Sequence, residues 1–283
     1  MSILKICDGN LTVSVDTCGS EITSMVKNGV EYIWQRKDNI WNFSAPVLFP
    51  ICGGLKNDVC VHNGKEYALR KHGFVKGVEF TVEEHTENSL TLSYADNEET
   101  LKMYPFTFKF YTVFTVKNGE LKVVYRVENR SAETMYFSVG GHEAYSIDSS
   151  INNCTLDFSH DEEFKNYNVT GPLLDGSYNL IEGTNHIDLN DDYFTVDAII
   201  LKNVNSDSVV LTDKVANKKI TLKFADFTHL LIWKIVGADY VCLEPWTGLP
   251  DSTDATGILS EKDSITALEA GKVKEFEHTI IPE

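Results

Sequence analysis

The chain has 283 residues, of which 42% are hydrophobic, 11% aromatic and 24% charged, an ordinary composition for a globular protein. A formal net charge of −17 argues against nucleic acid and anionic membranes as partners, because both bind basic patches. No signal peptide and no apolar stretch of membrane-spanning length is visible, so we expect a cytoplasmic protein.

The first half of the chain carries three hairpin signals. Asn28-Gly29, Asn63-Gly64 and Asn118-Gly119 each separate two segments that alternate apolar and polar residues. Asn-Gly tolerates positive φ at both central positions of a type I′ turn. These turns predict an all-β chain.

Four further strands are predicted, in chain order at 135–139, 195–201, 208–212 and 219–224. Helical periodicity is nearly absent, with a hint of one or two turns at 262–270, and the polar stretches 149–153 and 175–190 are predicted as loops. No linker or repeat divides the chain. We therefore predict a single domain over residues 1–283, built from two packed, mostly antiparallel sheets.

The six cysteines are scattered along the chain without any C-x-x-C pair, at positions 7, 18, 52, 60, 154 and 242. This spacing indicates neither a zinc site nor a redox motif, and we expect reduced core thiols. The histidines also lack ligand spacing, so no metal site is predicted.

Residues 227–251 predict a hairpin whose second strand ends in Glu244-Pro245-Trp246. A carboxylate at the end of a buried strand, beside an indole, suits a site that holds a sugar ring, with C–H groups on the aromatic face and hydroxyls on the acid. The alternative is a solvated strand-end glutamate beside a core tryptophan.

Two histidines follow strand ends next to glycines. His72 precedes Gly73, and His142 follows Gly140-Gly141. Each alone is compatible with a structural role. The Gly53-Gly54 pair either lets the backbone approach a ligand or forms a plain tight turn, and it lacks the pattern of a phosphate loop.

Five stretches in this order resemble the aldose 1-epimerase (galactose mutarotase) family, in particular its bacterial branch related to LacX: 46–55, 71–74, 104–106, 141–142 and 243–246. The resemblance implies a galactose mutarotase-like β-sandwich of two large curved sheets, a small-molecule sugar as substrate, no cofactor, and a monomer or homodimer.

The resemblance also implies roles for individual residues. Glu244 matches the general base, His142 the general acid, and His72 and Trp246 lie with them at the sugar. Asp197 matches the acid that binds ring hydroxyls, with Asp192 as the competing candidate.

One departure from the family pattern concerns the anchoring of the substrate. Gly54 stands where many relatives carry an arginine, and Lys56 is the candidate to take over its role.

Three functions remain open at this point. An aldose 1-epimerase would open a free hexose by acid and base catalysis, with the carboxylate raising the pKa of His142 so that it can act as the acid. A mutarotase of phosphorylated hexoses would need a basic cluster, which Gly54 and the acidic balance disfavour. A carbohydrate-binding protein without turnover is the third possibility.

Overall fold

Strands make up 54% and helices 7% of the chain in the computed structural model, which describes residues 2–283. In chain order the strands are β1 (Ile3–Asp8), β2 (Leu11–Asp16), β3 (Glu21–Lys27), β4 (Val30–Glu31), β5 (Val59–His62), β6 (Lys65–Ala68), β7 (Thr81–His85), β8 (Ser89–Ala95), β9 (Phe108–Lys117), β10 (Glu120–Asn129), β11 (Met135–Phe137), β12 (Glu143–Ser146), β13 (Cys154–Thr170), β14 (Leu173–Asp188), β15 (Ile199–Lys202), β16 (Ser208–Asp213), β17 (Lys218–Lys223), β18 (His229–Trp233), β19 (Tyr240–Trp246), β20 (Thr266–Leu268) and β21 (Val273–Pro282). The helix α1 spans Glu98–Met103, and short 3-10 helices lie at Lys56–Asp58, Ile151–Asn153, Asp191–Phe194 and Leu259–Glu261.

The three Asn-Gly hairpins form as predicted, joining β3 to β4, β5 to β6 and β9 to β10. All six turn residues have positive φ, between 49° and 81°. Positive φ at both central positions is the property of the type I′ turn, whose twist matches that of the flanking strands.

The chain is an all-β sandwich with antiparallel sheets, so the predicted fold class is confirmed. Twelve strands follow one continuous hydrogen-bonded ladder in the order β12-β19-β18-β15-β13-β16-β17-β21-β10-β9-β8-β7, and β14 joins it by pairing with β13. A four-stranded sheet (β1-β2-β3-β4) and two two-stranded sheets (β5-β6 and β11-β20) complete the architecture.

Alternation along the strands produces the core. The residues of β9 from 108 to 116 are buried at every second position, and the partner strand β10 follows the same rule. Their inward side chains join one hydrophobic cluster with those of the four-stranded sheet, such as Ile6 and Val13. The ring of Phe49 stacks on that of Phe110 at 4.6 Å, which anchors the loop before β5 to this core.

The long hairpin of β13 and β14 corrects the sequence prediction. Residues 175–190 were expected to form a loop, whereas β14 extends to Asp188 and pairs with β13 along its length with several register shifts. Most β14 side chains are exposed, so backbone hydrogen bonds hold it and no apolar pattern marks it in the sequence.

Local corrections concern helices and one strand boundary. The segment 262–270 contains β20 instead of a helical turn, and α1 was not predicted. Asn97 caps α1 by accepting hydrogen bonds from the backbone of Glu99 and Thr100. The strand expected at 195–201 begins only at Ile199.

Among residues 2–283, no helix combines the length and hydropathy needed to cross a membrane. The six cysteines have free thiols, and Cys52, Cys60, Cys154 and Cys242 are buried.

Replacing Phe110 with alanine tests the core packing. Because this fully buried ring stacks on Phe49, we expect Phe110→Ala to lower the free energy of unfolding by about 3–5 kcal/mol in urea titrations. Leu101→Ala, at a side chain 36% exposed on α1, is the control and should change it by no more than about 0.5 kcal/mol. A Phe110→Ala variant as stable as the unmodified protein would contradict the packing described.

Candidate active site

A cavity of about 320 Å³ opens on one face of the sheet segment formed by β12, β19, β18 and β15. Its wall is aromatic on several sides and carries six ionisable side chains: Lys71, His72, Lys76, His142, Asp197 and Glu244. The volume lies within the range of small-molecule sites, about 300–1,000 Å³.

The strand register brings Glu244 and His142 together. Glu143 pairs with Leu243 and Gly140 with Trp246, and the same antiparallel register sets His142 directly opposite Glu244. The distance from His142 Nε2 to Glu244 Oε2 is 3.4 Å. Two residues about one hundred positions apart therefore meet at one point of the cavity.

Glycines allow the backbone before His142 to lie against β19. A Cβ atom on Gly140 would lie 2.4 Å from Cδ1 of Trp246, closer than any side chain tolerates. The indole Nε1 of Trp246 donates to the carbonyl of Gly141 at 3.0 Å, and Leu48 exchanges backbone hydrogen bonds with Gly140. These contacts fix the ring of Trp246 and the start of β12 relative to each other.

His72 is held in the same wall by a second glycine contact. Its φ is 69°, and a Cβ on the following Gly73 would lie 2.1 Å from the carbonyl oxygen of Phe49. The backbone N–H of Gly53 donates to Nδ1 of His72 at 3.1 Å, which leaves the ring proton on Nε2. His72 therefore presents an N–H donor at the cavity, with its ring 5.4 Å from that of Trp246.

Burial governs the protonation of the central pair. Burial raises the pKa of Glu244 well above its usual 4.5, Lys71 opposes this, and Asp197 and Glu143 add to it. Burial lowers the pKa of His142 from 6.5 to about 3. Both groups are therefore driven towards their neutral forms, which together hold one proton.

This result corrects the expectation that the neighbouring carboxylate raises the pKa of His142. Removal of the imidazolium from water is the largest effect on the pKa of His142, and the positive charges of Lys71 and Lys76 lower this pKa further. Within residues 2–283 no donor from the protein forms a hydrogen bond with the Glu244 carboxylate, and Nε2 of His142 lies 3.4 Å from its Oε2. Its oxygens are left to accept hydrogen bonds from a ligand.

A second buried glutamate and histidine lie behind the first pair. The side chain of Glu143 alternates to the opposite face from His142, and its Oε1 lies 3.0 Å from Nε2 of His278 on β21. Both residues are about 1% exposed. This contact connects the last strand of the chain to the strand that begins at the site.

The remaining predicted residues divide between the cavity and the surface. Asp197, in the bend before β15, lines the cavity, whereas the competing Asp192 is exposed in the short 3-10 helix before it. Trp246 lines the cavity and is buried, so the aromatic wall expected beside Glu244 is present.

Lys56 requires a correction, because it lies outside the cavity. Its Nζ donates to the carbonyl of Ala255, and its backbone N–H donates to Asp251, which turns the segment after Gly54 away from the site. Gly54 itself packs against Pro172, and a Cβ there would lie 2.7 Å from the Pro172 side chain. An arginine at this position would have no room without a shift of Pro172.

Trp41, Trp233, Lys71 and Lys76 are among the lining residues that were not predicted from the sequence. The ring of Trp41 lies 5.2 Å from that of His142, and the ring of Trp233 lies 5.5 Å from it. Trp233 is two residues from Leu231 on β18, so alternation along this strand could have identified it. No local signal marks Trp41.

The donor atoms of His142, Cys242 and Glu244 lie within 4.8 Å of one another, close enough for a metal ion. The pKa of the Cys242 thiol, however, is raised well above 9.0 by burial and by the neighbouring Glu244 and Glu143. Metal binding requires the thiolate, which is disfavoured here. The chemistry of the group fits proton exchange better than metal ligation.

Comparison with known proteins agrees with the resemblance noted in the sequence. The sequence model of the aldose 1-epimerase family matches residues 2–276. The plasmid-encoded LacX protein of Lactococcus lactis subsp. lactis is 35% identical over 272 residues, which cover 90% of this chain and 91% of that protein.

Solved structures share the fold. A galactose mutarotase related enzyme from Lactobacillus acidophilus superposes with a TM-score of 0.93 at 31% identity, covering 100% of this chain and 97% of that one. A galactose mutarotase-like protein from Lactobacillus casei gives a TM-score of 0.93 at 27% identity, covering 100% of each chain.

Gly140→Ala tests the close approach of the two strands. Because the added methyl group would overlap the hydrogen-bonded Trp246 ring, we expect a loss of about 1–3 kcal/mol in the free energy of unfolding. Gly183→Ala on β14 is the matched control, since its Cβ would meet nothing closer than 3.9 Å. Equal effects in thermal unfolding of the two variants would rule out the packing described.

Proposed function

Because this chain belongs to the aldose 1-epimerase family, we propose that it is an isomerase that interconverts the α and β anomers of a hexose. The observation that carries the proposal is the Glu244 and His142 pair, 3.4 Å apart at an aromatic-walled cavity of about 320 Å³. The substrate bound at this site is then a small sugar, and no cofactor takes part in the reaction.

The reaction requires two proton transfers and one bond rotation. A base removes the proton from the anomeric hydroxyl while an acid protonates the ring oxygen, so that the bond from C1 to the ring oxygen breaks and an aldehyde forms. Rotation about C1–C2 presents the other face of the aldehyde, and the same steps in reverse close the ring. One proton is taken up and one delivered, so no net proton is consumed.

Glu244 and His142 suit these two roles because together they hold a single exchangeable proton. Glu244 acts as the base and His142 as the acid when the proton lies on the imidazole. In the free protein burial favours the neutral arrangement, with the proton on Glu244. Sugar hydroxyls that donate to the carboxylate favour its transfer to His142, whereas the positive charge of Lys71 lowers the pKa of both groups.

The other residues of the cavity position the ring. His72 offers its Nε2–H to a hydroxyl oxygen, Asp197 accepts from hydroxyls, and Trp246 lies beside Glu244 as an apolar surface for C–H groups. The hydroxyls of a bound sugar can form hydrogen bonds with these polar groups in place of the hydrogen bonds to water that the sugar loses on binding.

Removing either half of the pair should abolish most of the catalysis. Glu244→Gln keeps the shape but not the basicity, and His142→Asn removes the acid. We expect each to lower kcat by about 10²–10⁴-fold, while the dissociation constant of the sugar changes far less. Anomer exchange is measured by NMR or polarimetry and binding by calorimetry.

Two exposed positions provide controls, Glu84→Gln and His85→Asn on β7, which should leave both measurements unchanged. A Glu244→Gln variant with full activity would refute the mechanism. Sugar binding without turnover in the unmodified protein would instead indicate a carbohydrate-binding protein.

The dependence of kcat on pH should report the single proton of the pair. At low pH the pair gains a second proton, because His142 becomes protonated beside a neutral Glu244, and activity is then lost. The depressed pKa of His142 places this acidic loss of activity below pH 6.5. The pair loses its last proton through the raised pKa of Glu244, which moves the alkaline loss well above pH 4.5. The expected profile is a bell with both limbs belonging to the pair. An acidic limb at or above pH 6.5 would contradict the burial described.

A further inference from the structure

We propose that Lys71 and Lys76 bind an anionic substituent of the sugar, so that the preferred substrate is an aldose bearing a phosphate or carboxylate group. This inference rests on the proposed function and specifies its substrate class. It assigns to the two lysines a role in recognition, separate from the proton transfers at Glu244 and His142.

Both lysines line the cavity, and both lie on the segment that carries His72. Neither amine forms an ion pair with a carboxylate within residues 2–283. The Nζ of Lys76 lies instead over the ring of Phe43, 5.1 Å from its centroid. The cavity therefore carries two positive charges that the protein itself leaves without a counter-charge in contact.

The three buried lysines all contact carboxylates, whereas Lys71 and Lys76 are exposed. Lys218 contacts Asp148, Lys234 contacts Asp191, and Lys262 contacts Asp251. In a chain with 42 acidic residues and 25 basic ones, carboxylate partners are abundant. Lys71 and Lys76 line one cavity without a carboxylate in contact, which leaves both amines available to an anionic ligand.

The two charges act on each other and on the site. Burial lowers the pKa of Lys76, repulsion from Lys71 lowers it further, and the negative charge of Glu21 opposes both effects. Lys71 also acts electrostatically on Glu244, and both lysines act on His142. A phosphate or carboxylate placed between the two amines would relieve their repulsion and form charge-assisted hydrogen bonds.

The location of the lysines changes the interpretation of substrate charge. From the sequence, a neutral hexose was expected because Gly54 stands where many relatives carry an arginine. A phosphorylated hexose would have required a basic cluster elsewhere. The structure contains such a cluster, supplied by residues 71 and 76 instead of 54 and 56. One hexose can reach both groups, since the lysines and the Glu244 and His142 pair line the same small cavity.

The test compares kcat/KM for anomer exchange of glucose, glucose 6-phosphate and glucuronate. We expect at least one anionic sugar to exceed glucose by about 10-fold or more at low ionic strength, with an advantage that shrinks as salt is added. In the double variant Lys71→Met/Lys76→Met the ratio of anionic to neutral kcat/KM should fall by about 10²-fold. The ratio is the readout because Lys71 also influences Glu244 and can change the rate on every sugar.

Two further variants separate charge from other effects. Lys71→Arg/Lys76→Arg keeps both charges and should retain the preference. Lys219→Met/Lys223→Met removes two exposed lysines from one face of β17 and should leave the ratio unchanged. A preference for glucose 6-phosphate alone identifies a phosphate site, and an equal preference for glucuronate identifies a general anion site.

The outcomes distinguish this inference from the proposed function. Rapid exchange of glucose with no preference for either anionic sugar, or a preference that survives the double methionine variant, would overturn it while the mutarotase proposal stands. If no sugar is turned over, calorimetric binding decides. Tighter binding of glucose 6-phosphate than of glucose, lost in the double methionine variant, supports the lysine site, and equal binding overturns it.

Discussion

The antiparallel register between β12 and β19 is the constraint on which the site depends. It sets His142 opposite Glu244, and a shift by one residue would turn one of the two side chains to the other face of the sheet. Gly140 makes the register possible by leaving space for Trp246, and Leu48 secures it through backbone hydrogen bonds. Glu244 is thus placed by β19, and His142 by the backbone immediately before β12.

The same alternation separates two buried pairs of glutamate and histidine. His142 and Glu244 face the cavity, where a ligand can complete their hydrogen bonds, whereas Glu143 and His278 face the core and contact each other through Oε1 and Nε2. The core pair ties β21 to the start of β12. Burial raises the pKa of Glu244 and lowers that of His142, so the proton of the cavity pair lies on Glu244 in the absence of a ligand.

Features encoded locally could be predicted from the sequence, and those that depend on distant contacts could not. The Asn-Gly turns and the buried strand that carries Glu244 follow from residue type and periodicity alone. The strand β14 is polar and exposed, so nothing distinguishes it from a loop until β13 supplies its hydrogen bonds. Lys56 is near Gly54 in the chain but is turned away by Asp251, a contact across 195 positions that no spacing rule contains.

The aromatic wall has a spectroscopic consequence. The chain contains four tryptophans, three of which (Trp41, Trp233 and Trp246) line the cavity. The fourth, Trp34, donates from its indole to the carbonyl of Trp41 and packs on Tyr240 behind that wall. Every indole fluorophore of the protein is therefore concentrated around one cavity, and we expect a ligand in that cavity to change the intrinsic emission of the chain without any attached label.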